Sequence, residues 1–191
     1  MSHVHVVFAH PDPLSFTGRV LRAFLDRVTA EGHTVTVSDL YAMGFRAEMS
    51  REEYARESGY HADRPVSPDV AAEQAKLAAA DVWAFVYPVW WADCPAILKG
   101  WFDRVWTAGF AHHAQTPVRT GKAFVICTAG YPIARLEKDG LYQAMRATML
   151  TDRIGARAGD SGFLLLTRDD DVAASILDLP LGREPAVGPD R

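Results

Sequence analysis

Residues 4–18 read VHVVFAHPDPLSFTG, and this stretch decides the fold. Five of its first six residues are apolar, three of them valine, which predicts a short buried strand. The prolines that follow predict a loop, and an apolar stripe at helical spacing from Val20 to Val28 predicts a helix after it. Gly32 marks the end of that helix. The chain is therefore predicted to open with a strand, a loop and a helix.

The same alternation continues along the chain. Further strands are predicted at residues 33–40, 81–87, 121–128 and 162–167, and further helices at residues 69–79, 96–108 and 141–153. This order predicts an α/β fold, a three-layer α/β/α sandwich around a five-stranded parallel sheet. Such units fit the flavodoxin-like strand order 2-1-3-4-5, in which ligands bind at the carboxyl ends of the strands.

Two segments depart from the alternation. Residues 41–68 are polar and charge-rich, and we interpret them as an irregular excursion with one short helix. Residues 178–191 are rich in proline and glycine and are expected to form an extended or disordered tail. The sequence therefore predicts one domain over residues 1–177.

The composition argues against several functions. A formal net charge of -4 disfavours a nucleic-acid partner, whose phosphates select basic surfaces. No stretch is long and apolar enough to predict membrane insertion, and a cytoplasmic location is expected. Cys94 and Cys127 form no CxxC pair and are expected to be buried free thiols. The histidine spacing predicts no metal site.

The first loop resembles a phosphate-binding turn. Ser15, Phe16 and Thr17 come at the predicted start of a helix, where backbone N–H groups lack intrahelical partners and attract anions. The hydroxyls of Ser15 and Thr17 are expected to bind the same anion, and His10 could add a further donor. The alternative is that Ser15 or Thr17 simply caps the helix. The absence of a GxGxxG motif after the strand disfavours a Rossmann dinucleotide fold.

A second loop, after the third strand, carries two adjacent indole rings. Pro88, Val89, Trp90 and Trp91 follow one another there, and tryptophans on a loop suit a flat aromatic ligand. The alternative is that either ring packs at a core edge or a subunit interface. Asp93 is expected to cap the next helix, with Pro95 in its first turn.

A third loop closes the fourth strand with small residues. Thr128, Ala129 and Gly130 would let the backbone approach a ligand closely, and Tyr131 could stack or donate a proton. The alternative for Tyr131 is an exposed loop aromatic. Together the three loops predict one crevice for a phosphorylated, flat heteroaromatic ligand.

Two motifs carry a family resemblance. HPDPLSF at residues 10–16 and PAILKGWFDRV at residues 95–105, followed by GFA at residues 109–111, resemble the NAD(P)H quinone oxidoreductases of the DT-diaphorase-like branch. The resemblance covers about residues 4–128. It implies a cytoplasmic flavoprotein homodimer that transfers hydride from NAD(P)H through the flavin to a quinone in a ping-pong manner. FAD is the expected flavin, with FMN as the alternative.

The resemblance also assigns site residues by position. Flavin phosphate contacts are implied for the first loop, isoalloxazine contacts for the second, and pyrimidine-side contacts for the third: His10, Ser15, Phe16, Thr17; Pro88, Val89, Trp90, Trp91; Thr128, Ala129, Gly130, Tyr131.

This sequence departs from the family pattern at several of these positions. Thr17 stands where the mammalian members usually carry Asn, and Ala129-Gly130 replaces a Gly-Gly pair. The Tyr and His that follow in those members are not at their spacing here. Tyr131 is therefore the nearest candidate for a catalytic residue.

Other functions fit the same residues. An azoreductase, a nitroreductase or a biosynthetic quinone reductase would share this fold. A flavin-binding regulatory subunit of a transport system is a different class, with residues 48–63 as a docking surface. A one-electron flavodoxin-type shuttle would favour a more acidic surface than a charge of -4 provides.

Overall fold

The computed structural model describes residues 1–181. Its elements follow in strict strand and helix alternation apart from the predicted excursion and a few short helices: β1 (His3–Phe8), α1 (Phe16–Ala30), β2 (Thr34–Asp39), α2 (Arg51–Ser58), α3 (Pro68–Ala79), β3 (Val82–Pro88), α4 (Ala96–Val105), β4 (Thr120–Thr128), α5 (Ile133–Lys138), α6 (Leu141–Arg146), a π-helical segment (Ala147–Ile154), a 3₁₀ turn (Gly155–Arg157), β5 (Ala158–Leu166) and α7 (Val172–Leu177).

The five strands form one parallel sheet in the order β2-β1-β3-β4-β5, which confirms the predicted fold class. The register pairs Val4 with Val82 and Val82 with Lys122, so β1, β3 and β4 lie side by side at the centre. All seven residues of β3 are buried, as expected of a strand covered on both faces. The crossover between β1 and β3 creates the switch point of the sheet.

Each face of the sheet has its own hydrophobic core. Val4, Val6 and Phe8 project toward α1 and α7, where Phe24 contributes its ring. The opposite face packs against α3, α4 and the α6 region, around Trp83 and its neighbours. The alternation of side chains along β1 explains why one strand feeds both cores. No helix within residues 1–181 is long and apolar enough to cross a membrane.

The sequence mislocated some element boundaries. α4 ends at Val105 rather than residue 108, and a short helix, α5, lies after the third loop, where no helix was predicted. The helix expected over residues 141–153 is α only to Arg146 and π-helical beyond. β5 begins at Ala158 rather than residue 162, because Gly159 lets it approach the backbone of β4.

The excursion is held to the domain by a buried arginine. Arg104 on α4 donates to the carboxylates of Glu53 and Asp69, to the carbonyl of Arg46 and to Ser67. Burial alone would raise the pKa of Glu53, but hydrogen bonds from Arg104, Ser50 and others lower it to about 2. The one short helix expected in this segment is α2.

Packing continues beyond the expected domain boundary at residue 177. Leu179 and Leu181 are buried, and Arg27 donates to the carbonyl oxygens of Ile176 and Leu179. Residues 182–191, the remainder of the expected tail, lie outside the described residues.

A polar cluster lies inside the sheet at the amino-terminal half of β1. The fully buried His5 contacts Thr36 Oγ1 through Nδ1 (2.9 Å) and Ser38 Oγ through Nε2 (3.4 Å). Ser38 donates to Glu73 Oε1, which also accepts from Lys76 Nζ. Burial lowers the pKa of His5 to about 4, because the charged imidazolium would lose its hydration.

This burial predicts acid sensitivity. Between pH 6.5 and 4 the unfolded chain binds a proton at His5 that the folded chain does not, so the free energy of unfolding falls as pH falls. A shift of this size corresponds to about 3 kcal/mol over the whole window. Urea unfolding at several pH values should show this slope, and His5→Gln should flatten it. Equal slopes in both proteins would contradict the assignment.

Candidate functional site

The three predicted loops meet at one edge of the sheet. Because β1, β3 and β4 are parallel neighbours, their carboxyl ends lie together. Val89 N donates to Thr128 O at 2.7 Å, which joins the second loop to the third. The rings of His10 and Trp90 lie 6.2 Å apart between centroids, which brings the first loop to the second. The three loops that would form the predicted crevice are therefore neighbours in the structure.

The first loop delivers backbone donors at the start of α1. Ser15 is the N-cap, and its Oγ accepts from Gly18 N at 3.1 Å. Ser15 therefore caps the helix by accepting a hydrogen bond at a lone pair of Oγ, as the alternative predicted. Its hydroxyl proton can still be donated to another group. The backbone N–H groups of Phe16 and Thr17 occupy the first turn, where an α-helix offers donors to an anion.

Thr17 has a different side-chain role from the one expected. Its buried hydroxyl lies 2.8 Å from the hydroxyl of Thr128, so it joins the first loop to the third. The backbone N–H of Thr17, rather than its hydroxyl, is the group placed for an anion. This contact is a long-range one that spacing along the chain does not reveal.

His10 is oriented by its own loop. Asp12 N donates to His10 Nδ1 at 2.9 Å, so the neutral ring carries its proton on Nε2. Asp12 in turn accepts from Leu14 N, which makes the turn rigid. The free Nε2–H is the donor that the sequence analysis expected of His10.

Gly18 was missed by the sequence analysis and is required by packing. A Cβ at this position would lie 2.0 Å from the carbonyl oxygen of Pro13. Only glycine lets the proline-rich loop fold against the first turn of α1. The glycine directly after the Ser-Phe-Thr run was the available signal.

The second loop is a tight turn in a strained conformation. Trp90 and Asp93 exchange two backbone hydrogen bonds, and the central residues Trp91 and Ala92 have φ values of +54° and +59°. This is the pattern of a type I′ turn, which favours Asn and Gly at the centre. Here it is filled by Trp and Ala, at a cost of about 1–2 kcal/mol each.

The turn presents its indoles to the outside. The side chain of Trp91 is fully exposed and that of Trp90 is 42% exposed, so neither packs inside the core of this chain. Strained backbone and exposed aromatic rings are both uncommon in structural turns, and strain of this kind concentrates at ligand sites.

Asp93 does not cap α4, contrary to expectation. Pro95 holds the N-cap position and no side chain caps the helix. Asp93 instead accepts two hydrogen bonds from the guanidinium of Arg153, at 2.8 and 3.0 Å. Burial alone would raise the pKa of Asp93, but the hydrogen bonds from Arg153 lower it.

The small residues of the third loop leave part of its backbone accessible, as expected. Thr128 and Ala129 are buried at the end of β4, whereas Gly130 is exposed and a Cβ there would meet only open space. Tyr131 is 56% exposed, and the guanidinium of Arg135 lies 4.7 Å from the centre of its ring. The ring is thus available at the rim of the loop.

Outside the three loops, a cavity and the two cysteines are structural features. The cavity, of about 530 Å³, lies between α2 and α3, and Glu53 and Arg104 in its lining bind each other. Within residues 1–181 no group of His, Cys, Asp and Glu side chains could hold a metal ion. Cys94 and Cys127 are free and buried, as predicted, and burial raises the pKa of both thiols.

Comparison with known proteins agrees with this geometry. A model of the flavodoxin-like fold matches residues 2–155. The chain belongs to this flavodoxin-like family. The strand order follows the same pattern.

Individual relatives narrow the comparison. The structure of an NAD(P)H:quinone oxidoreductase from Methanothermobacter marburgensis is 43% identical, with a TM-score of 0.86 and 92% of each chain covered. The rat NAD(P)H dehydrogenase [quinone] 1 is 37% identical over 143 residues, covering 65% of this chain and 52% of its own. The resemblance to the NAD(P)H quinone oxidoreductases is therefore confirmed.

Other comparisons cover part of a relative's length or share the fold alone. The chain spans about half the length of the curated relatives it matches. The general stress protein 14 from Treponema denticola in complex with FMN has a TM-score of 0.65 at 22% identity, covering 92% of this chain and 94% of its own, and shares the fold alone.

The strained turn predicts an unusual stability response. Trp91→Gly removes an exposed ring and relieves positive φ, so it should raise the free energy of unfolding by about 0.5–1 kcal/mol after the entropy of glycine is counted. Urea unfolding of the ligand-free protein measures this change. Trp91→Ala is the control, because it removes the ring but keeps the strain and should leave stability near wild type. A loss of stability in Trp91→Gly would contradict the strain.

Proposed function

We propose that this chain is a flavin-dependent NAD(P)H:quinone oxidoreductase. The observation that carries the proposal is the meeting of an anion-binding helix start and a strained, indole-bearing turn at one edge of the sheet. The His10–Trp90 ring contact of 6.2 Å and the Val89–Thr128 hydrogen bond of 2.7 Å define that meeting.

The phosphate side of the flavin fits the first loop. The proposed donors to one phosphate are the N–H groups of Phe16 and Thr17, the hydroxyl proton of Ser15 and Nε2–H of His10. A helix start adds about 0.3–1 kcal/mol for an exposed anion, and the convergent hydrogen bonds add more. These hydrogen-bond donors match the acceptor oxygens of a phosphate.

The ring side fits the other two loops. Trp90 and Trp91 offer flat apolar surface, and Pro88 at the end of β3 and Val89 lead into the turn that carries them. In the third loop, the exposed backbone of Gly130 can donate to the polar edge of a ring without steric hindrance from a side chain. Thr128 and Ala129 shape the base of this wall.

A bound flavin would supply the two-electron chemistry, taking hydride from NAD(P)H and passing both electrons to a quinone. The protein's own residues bind and orient the ring. Tyr131 is proposed as the group that places a phenolic proton at the rim, beside the Gly130 backbone. We propose FAD as the flavin, with FMN as the alternative.

The assembly is proposed from the family resemblance. The resemblance implies a homodimer with a flavin at each of two shared sites, and a cytoplasmic location is proposed with it. The full exposure of the Trp91 ring in one chain fits a surface that a ligand or a second copy covers.

A spectrum and a turnover assay test the proposal. The purified protein should show flavin absorbance that NADH or NADPH bleaches under anaerobic conditions and that menadione restores. Chromatography of the released flavin separates FAD from FMN. A protein that stays colourless after incubation with either flavin would contradict flavin binding. A yellow protein that NAD(P)H cannot bleach would favour the regulatory-subunit alternative over the enzyme.

The phosphate contact can be separated from helix capping. Ser15→Asp keeps a good N-cap, so the ligand-free protein should melt within about 2 °C of wild type. Its negative charge repels a phosphate, so the flavin dissociation constant should rise by about tenfold or more, measured by fluorescence titration.

Ser15→Asn is the matched control for that variant. It caps the helix equally well without a charge and should bind flavin more tightly than Ser15→Asp. Equal flavin affinity in the two variants would mean that the flavin phosphate does not lie at the start of α1.

A further inference from the structure

We propose that Arg153 is a positioning residue that holds the Trp90–Asp93 turn in its flavin-receiving conformation. The inference rests on the proposed flavin site and adds to it a residue far along the chain. The turn from Trp90 to Asp93 is strained at its two central residues. Trp91 and Ala92 both have positive φ, and neither residue type favours that conformation. Some contact outside the turn must therefore hold it.

Arg153 supplies that contact. Its Nη1 donates to Asp93 Oδ1 at 2.8 Å and its Nη2 donates to Asp93 Oδ2 at 3.0 Å. The geometry is bidentate, which fixes the direction of the carboxylate as well as its distance. Asp93 also accepts from Cys94 N at 2.7 Å, so the end of the turn is anchored at two points.

The guanidinium is itself held rigidly. The side chain of Arg153 is 6% exposed and lies over the ring of Phe102, 5.4 Å from its centre. Nη1 also contacts Met149 Sδ and Cys94 Sγ, each at 3.2 Å. An arginine enclosed in this way loses little further entropy on pairing with Asp93.

The backbone that carries Arg153 is unusual too. Arg153 lies in the π-helical segment, whose wider turns shift each following side chain around the helix axis relative to an α-helix. Its carbonyl oxygen accepts from Trp106 Nε1 at 2.6 Å, which holds the segment against the end of α4. The π-helical turns and this indole contact together direct the guanidinium at Asp93.

The ion pair is not needed to fill the core. The ring of Phe102 and the sulfur atoms of Met149 and Cys94 contact the Arg153 guanidinium, so Arg153→Met keeps the packing and leaves no buried charge. Asp93, whose side chain is 44% exposed, can then be hydrated. This variant therefore frees the turn while leaving the fold intact.

The first measurement needs no flavin. Hydrogen exchange in the ligand-free protein reports the Trp90 and Asp93 amides, which bond across the turn. Arg153→Met should lower protection at these two amides by about tenfold, with the amides of β3 unchanged. Arg146→Met is the matched control, because Arg146 lies at the end of α6, next to the same segment, and its guanidinium stacks on the rings of Tyr142 and Phe163 rather than on the turn. It should leave both amides as in wild type.

The second measurement is flavin affinity. Arg153→Met should raise the dissociation constant of the flavin that wild type binds by about tenfold, and Arg153→Lys, which cannot pair in a bidentate manner, should fall between. Adding Ala92→Gly to Arg153→Met should recover about threefold in affinity, because glycine adopts positive φ without strain. A merely structural role for Arg153 does not predict that recovery.

The two measurements distinguish a failure of the role of Arg153 from a failure of the proposed function. Unchanged protection at Trp90 and Asp93 in Arg153→Met would overturn the proposal, and so would lost protection with unchanged flavin affinity. If wild type binds no flavin while Arg153→Met still loses protection, the proposed function fails, whereas the hold of Arg153 on the turn is supported.

Discussion

Five parallel strands bring their carboxyl ends to one edge, and everything proposed for this protein depends on that constraint. β1, β3 and β4 are neighbours across the switch point, so the three loops that follow them cannot avoid one another. The Thr17–Thr128 hydroxyl contact and the Val89–Thr128 hydrogen bond then join the loops directly. A rigid sheet therefore carries the site, and the loops give it its chemistry.

Stability is distributed unevenly around this edge. The excursion is fixed by Arg104, whose side chain is fully buried between carboxylates. The turn from Trp90 to Asp93 carries strain instead and leaves an indole in solvent. A turn of this kind lowers the stability of the ligand-free chain, and backbone strain of this kind is common at binding sites.

The fold could be predicted from the sequence because its signals are local. Runs of valine in β1, the alternation in β2 and the apolar stripe of α1 each specify an element, and their order specifies a parallel sheet. The proximity of the loops after β1, β3 and β4 followed from the same order. The beginning of β5 was misplaced because Gly159 and Gly162 indicate a turn locally, whereas in the sheet they allow close strand contact.

What the sequence could not supply was long-range. The Asp93–Arg153 pair joins residues 60 positions apart, and nothing near either one indicates it. Asp93 was expected to cap a helix because a carboxylate before a proline often does so. Positive φ at Trp91 was likewise hidden, since turn patterns indicate it through Gly or Asn. The hydroxyl of Thr17 was expected to bind an anion because its contact with Thr128 is also long-range and nothing near Thr17 in the sequence indicates it.

The central claim is that one flavin binds across all three loops, and a crystal structure of the protein grown with its flavin tests it most directly. The account predicts a phosphate within hydrogen-bonding distance of the Phe16 and Thr17 amide nitrogens and the ring between the Trp90–Trp91 turn and Gly130. A flavin bound at a different edge of the sheet, or one whose phosphate lies away from the start of α1, would contradict it.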